Sequence, residues 1–145
     1  MKSETINLSE HFTLAELCKT KTGIENVPNE AQVENLKRLC RWLEQLRRRW
    51  NNLYGEGDDP IVINSGFRSP EVNKAVGGVS TSNHLTGCAV DIRCIGMEQA
   101  LRYAAILLDI EDAPARQQCQ RWMMHGFIER VKQGKYRKVI KDVMI

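Results

Sequence analysis

From 29 to 52, apolar residues return every three or four positions, at Val33, Leu36, Leu39, Cys40, Leu43, Leu46 and Trp50. That period predicts a long helix with one buried stripe. Pro28 stands just ahead of it, where a helix start tolerates proline because the first N–H groups have no intrahelical partner. A second helix is predicted over 97–108, with Ala100, Leu101, Ala104, Leu107 and Leu108 on its apolar face. Two shorter helices are marked by their caps. Thr13 and Glu16 have capping-box spacing. Ser69 is placed as the N-cap of a helix that opens on Pro70 and ends at Gly77-Gly78.

Between the helices the apolar runs shorten. Ile61-Val62-Ile63 follows the turn-forming run 55–60 and reads as a buried strand, and 88–94, bounded by Gly87 and Gly96, reads as another. Beyond Pro114, the segments 127–131 and 136–140 are joined through Gln133-Gly134 and are expected to form a hairpin. The sum is a single α+β domain over 1–145, with helices packed on one side of a small antiparallel sheet.

The 145-residue length suits one domain with a real core. With 42% hydrophobic and 27% charged residues, the composition is that of an ordinary globular protein rather than a disordered one. A net charge of +3 is compatible with an anionic substrate but too small to argue for nucleic acid. The run Arg47-Arg48-Arg49 could mark a basic surface for nucleic acid, but Leu46 and Trp50 flank it at helical spacing, so it reads as a solvated helix face. The five cysteines, Cys18, Cys40, Cys88, Cys94 and Cys119, are odd in number and irregular in spacing, unlike a secreted disulfide framework. No apolar run approaches a membrane span, and the first residues lack the apolar region of a signal peptide. The expectation is therefore a protein made in the cytoplasm, without a membrane partner.

The chemically informative segment is Ser82-Asn83-His84-Leu85-Thr86-Gly87-Cys88-Ala89-Val90-Asp91. On one helix, His84 and Asp91 would lie about 10 Å apart. A turn at Gly87 would instead bring a loop histidine against a strand aspartate. Imidazole nitrogen and carboxylate oxygen are both zinc ligands, and the small residues between them let the loop fold closely over an ion. The spacing alone also suits a solvated loop histidine and an aspartate that caps a turn.

Several motifs in order narrow the choice. The pattern Ser82-x-His84-x-x-Gly87-x-Ala89-x-Asp91 resembles the signature of the D-alanyl-D-alanine carboxypeptidase family. That family shares its fold with lysostaphin-type peptidases and the hedgehog signalling domain. Upstream, Ser65-Gly66-Phe67-Arg68-Ser69-Pro70 with Asn73 and the Gly77-Gly78 pair is similar to a second family segment. His11 to Leu17 and Asn26-Val27-Pro28 resemble the start of its small single-domain branch. The resemblance implies a Zn2+ peptidase acting on peptidoglycan stem peptides, at D-Ala-D-Ala or at an L-Ala–D-amino-acid bond. It implies His84 and Asp91 as metal ligands and Arg68 beside the metal, holding the substrate carbonyl. Arg68 could otherwise be a loop residue pairing with Glu71. Ser82 would bind the peptide or orient His84, or only cap its loop. A phage- or prophage-encoded lysin released to the wall fits the start of the chain.

The resemblance departs from the family pattern near the end. The family's third ligand is a histidine in a W-x-H segment, preceded by an acidic general base. Here Trp122-Met123-Met124-His125 has one extra residue, which makes His125 the candidate third ligand. Glu129 is the candidate base, with Asp112 and Glu111 behind it. An alternative alignment sets the ligand strand at 136–140, which holds no histidine. That alternative would make the chain a degenerate member that binds cell-wall peptides without cutting them.

Overall fold

The computed structural model describes residues 5–110. The predicted hairpin, His125, Glu129, Glu111 and Asp112 lie outside them.

Helix α1 (Leu14–Leu17) starts at Thr13 through the predicted capping box: the Thr13 hydroxyl accepts from Glu16 N–H and the Glu16 carboxylate accepts from Thr13 N–H. Helix α2 (Glu30–Leu53) runs for 24 residues, about 36 Å at 1.5 Å per residue. A second capping box, between Asn29 and Gln32, opens it. Its buried residues are Leu36, Leu39, Cys40, Trp42, Leu43, Leu46 and Trp50. The stripe is thus turned slightly from the one expected: Trp42 is inside, and Val33 is only partly buried at the edge of the core.

Strand β1 (Ile63–Ser65) pairs antiparallel with β2 (Asp91–Ile92), matching Ile63 to Ile92 and Ser65 to Asp91. Strand β1 keeps the expected three-residue length but starts two residues late, and β2 is shorter than the expected 88–94. Between its matched pairs β1 advances two residues while β2 advances one. A bulge of this kind twists and bends a strand and re-aims its side chains. Helix α3 (Pro70–Ala75) is capped by Ser69, whose hydroxyl accepts from Val72 N–H.

Helix α4 (Gly96–Asp109) packs along α2. It buries Ala100, Tyr103, Ala104, Ile106 and Leu107, whereas Leu101 is 47% exposed. Leu101 does not belong to the inner face. The buried arc runs from Ile106 through Tyr103, Leu107 and Ala100 to Ala104, and at 100° per residue Leu101 stands about 60° beyond its Ala104 edge. Tyr103 meets Trp50 edge-on, with ring centroids 4.9 Å apart.

The result is an α+β unit in which one core joins α1, α2, both strands and α4. Among the described residues no helix is long and apolar enough to cross a membrane. Of the three arginines, Arg47 pairs with Asp58 and Arg49 with Asp109, so this helix face is tied to the protein's own carboxylates. Cys18, Cys40 and Cys88 are free thiols.

Candidate metal centre

The residues 83–86 form a single 3-10 turn, Asn83–Thr86, capped by the Ser82 hydroxyl, which accepts from His84 N–H at 3.2 Å. The turn ends at Gly87, whose φ of 79° is open to glycine at little cost. A Cβ there would also lie 2.8 Å from the Gln32 carbonyl oxygen on α2. Two α2 side chains grip the turn: Gln32 Nε2 donates to Leu85 O at 3.1 Å and Asn35 Nδ2 to Thr86 O at 2.9 Å. After the turn the chain enters β2, with Asp91 its first residue.

This path brings His84 and Asp91 together, with Nε2 and Oδ1 3.6 Å apart. His84 is fully buried and Asp91 is 5% exposed. His84 Nδ1 lies 2.6 Å from the Gly66 carbonyl oxygen. A carbonyl only accepts, so Nδ1 carries the proton, and in the neutral ring Nε2 holds the lone pair. The two atoms that face each other are therefore both Lewis bases. Asp91 Oδ1 is buried and accepts no hydrogen bond among the described residues. A buried carboxylate oxygen left this way is costly unless a cation meets it.

The second carboxylate oxygen is held. Arg68 Nη2 donates to Asp91 Oδ2 at 3.3 Å, Nε to Ser65 Oγ at 3.1 Å, and Nη1 to Asn73 Oδ1 at 3.4 Å. The Arg68 backbone N–H also donates to His84 O at 3.0 Å. Arg68 thus pairs with the proposed ligand and not with Glu71. Asn73, 4% exposed, is fixed in turn, since its Nδ2 donates to Val79 O at 2.9 Å. A Cβ at Gly78 would sit 2.0 Å from Asn73 Oδ1. Gly78 therefore admits the side chain that steadies Arg68.

Gly66 matters through close approach. A Cβ on it would lie 2.4 Å from Leu17 O, a backbone atom that already accepts from Phe67 N–H at 2.7 Å. Sequence reasoning singled out His84, Asp91, Arg68 and Ser82. It placed Asn26 only in a segment resembling the family's start, with no role, and did not find Gln32 or Asn35, which hold backbone carbonyls far along the chain and follow no period. Among the described residues no group of three His, Cys, Asp or Glu side chains is placed to share one ion.

The family profile of peptidase M15 matches residues 10–123, which span both motifs and most of the chain. The chain belongs to the peptidase M15 family. It is also 53% identical over 83 residues to the zinc D-Ala-D-Ala carboxypeptidase of Streptomyces albus G. That alignment covers 57% of this chain and 31% of the relative, so the chain spans about a third of the length of the protein it matches.

Proposed function

We propose that this chain is a zinc-dependent peptidase that hydrolyses peptidoglycan stem peptides, with His84, Asp91 and His125 as its metal ligands. The observation that carries the proposal is the buried His84–Asp91 pair, two Lewis-base atoms 3.6 Å apart on a 3-10 turn and a strand. Ligands about 2.1 Å from a tetrahedral zinc stand about 3.4 Å from one another, so the spacing fits. A hydrogen bond would have drawn the pair closer.

Bound zinc supplies a Lewis acid for the scissile carbonyl and acidifies a water to a pKa near about 7. The chain's own residues do the rest. Gly66 O fixes the His84 tautomer, and Arg68 ties down Asp91 Oδ2 so that Oδ1 stays turned to His84. A guanidinium has five N–H groups, and those of Arg68 not spent on Ser65, Asn73 and Asp91 would receive the substrate carbonyl oxygen as it gains charge. Ser82 supports the turn that carries His84 and would add a contact to the peptide. Glu129 is the proposed base, taking a proton from water and returning it to the leaving amine.

The D-Ala-D-Ala bond is drawn from the relative's name, and the stem-peptide substrate, with the L-Ala–D-amino-acid bond as its other cleavage point, from the motif resemblance. Release to the wall from a phage or prophage belongs to the same reading.

The test is zinc content by elemental mass spectrometry on untagged protein dialysed against metal-free buffer, followed by amine release from stem peptides. About one zinc per chain is expected. His84→Ala and His125→Ala should lose it, together with the amine release. No zinc after reconstitution would sink the proposal. Stem-peptide binding without turnover, indifferent to a chelator, would establish a non-catalytic binder in its place.

A further inference from the structure

The loop that carries Arg68 is held from outside the site by one carboxamide. Asn26 Nδ2 donates to Cys18 O and to Phe67 O, both at 2.8 Å, and Asn26 Oδ1 accepts from Ser69 N–H at 2.6 Å. Both N–H donors and the carbonyl oxygen are therefore engaged. The partners are three residues on two stretches of chain: the one at the end of α1, and those just before and just after Arg68. The neighbouring Glu25 carbonyl accepts from the Ser69 hydroxyl at 3.3 Å, which adds a second tie at the same point.

From this placement we infer that Asn26 is a positioning residue for the metal centre, acting through Arg68 on Asp91. The inference rests on the proposed zinc site. Its bonds to Phe67 and Ser69 bracket Arg68, and the next link is Arg68 Nη2 to Asp91 Oδ2 at 3.3 Å. An arginine side chain left to itself has many rotamers, and ordering it has an entropic cost. Fixing its backbone on both sides restricts where the guanidinium can go, so the fork meets Ser65, Asn73 and Asp91 at once. The chemistry demands an amide. Aspartate would set a carboxylate against two carbonyl oxygens, and an aliphatic residue would leave both carbonyls and the Ser69 N–H without this partner.

The experiment is a double-mutant cycle read as zinc affinity, measured on the full chain by competition with a chromogenic chelator. The proteins are wild type, Asn26→Ala, Arg68→Lys and the double variant, with melting temperatures taken in parallel. Removing an outer-shell partner typically weakens metal binding about 10–100-fold, and Asn26, one link further out, should fall at about 10-fold. In the Arg68→Lys background the same change should cost less than about 2-fold, because the fork it serves is gone. Asn26→Ser should move affinity in the same direction by less, and it serves as the milder variant if alanine does not fold. A lowered melting temperature with unchanged zinc affinity would make Asn26 a plain structural residue and overturn the inference. So would a full-size loss repeated in the Arg68→Lys background. Wild type that retains no zinc would bring down the metal centre itself, and this inference with it, an outcome distinct from the other two.

Discussion

Gly66→Ala separates the architecture of the site from general stability. The glycine is buried, and its added methyl would stand 2.4 Å from Leu17 O, where ordinary contact begins at 3.4 Å. Leu17 is itself fully buried and sits in the capped helix α1, so the carbonyl has little room to yield. The Gly66 segment must retreat by about 1 Å to clear it. Such a retreat strains two short bonds at once: Phe67 N–H to Leu17 O at 2.7 Å, and His84 Nδ1–H to Gly66 O at 2.6 Å. Overpacking costs about 1–3 kcal/mol and a buried bond left open about 1–3 kcal/mol. The two overlap, so a loss of about 2–4 kcal/mol is expected.

The comparison is Leu46→Ala, a fully buried α2 position about 21 Å along the helix from Gln32. Truncating such a leucine costs about 2–5 kcal/mol, similar in size but remote from the turn that carries His84. Guanidinium unfolding of the metal-free proteins, followed by Trp42 and Trp50 fluorescence, gives both stabilities. Zinc competition then gives both affinities. Both variants should unfold earlier, and only Gly66→Ala should bind zinc at least about 10-fold more weakly, since it alone releases the ring that carries Nε2. Two outcomes would refute this reasoning: Gly66→Ala within about 0.5 kcal/mol of wild type, or destabilised but with wild-type zinc affinity.

Other expectations follow from the same contacts. Burial alone would raise the Glu44 carboxyl, but bonds from the Ser9 hydroxyl and from the His11 amide and ring outweigh it and hold the group below its ordinary 4.5. A depressed carboxyl contributes stability that is present above the unfolded value and lost as pH falls through the folded one. Wild type should therefore lose more stability than Glu44→Gln between neutral pH and the region below 4.5, and parallel acid limbs in urea unfolding would refute this. Burial pushes the Cys40 thiol up to about 12, with Glu44 adding to the shift, and the Cys18 thiol up to about 11. At pH 8 their thiolate fractions are about one in ten thousand and one in a thousand, so both should resist a thiol-selective disulfide reagent until guanidinium is added. Labelling of either within minutes in the native protein, located by peptide mapping, would count against this. Gln32→Ala and Asn35→Ala each remove one bond to the 3-10 turn, at Leu85 O and Thr86 O. Asn35→Ala should cost about 1 kcal/mol in the same unfolding assay and Gln32→Ala about 2 kcal/mol, since it also opens the α2 capping box, and their effects should combine non-additively because both grip one turn. Strict additivity would mean the two bonds act independently.

What the sequence made legible depends on whether the signal is local or periodic. The caps at Thr13 and Ser69 are written within four residues, and both are used as read. The α2 stripe is periodic over about five turns, and only its edges differ, with Trp42 in and Val33 half out, because the core wraps α2 on the Trp42 side. Leu101 has helical spacing to Ala104, but the buried arc of α4 is turned away from it towards Tyr103 and Ile106. The apolar runs miss the paired residues, 61–63 by two positions and 88–94 by excess length, because an apolar run shows where chain is buried, not where it pairs. Ile61, Ala89 and Val90 are all in the core, yet none belongs to the two-stranded ladder. The site divides along the same line. His84 and Asp91 were found because the turn between them is short and carries Gly87, so their meeting is nearly a local event. Asn26, Gln32 and Asn35 reach across 41 to 53 residues to bond backbone atoms, for which any polar side chain of the right length reads alike in sequence. Gly66 shows the same limit from the other side. Its backbone needs no positive φ, and its requirement comes wholly from Leu17, 49 residues away in the chain. The proposed ligands are thus legible from local chemistry, whereas the residues that aim them are set by the tertiary fold.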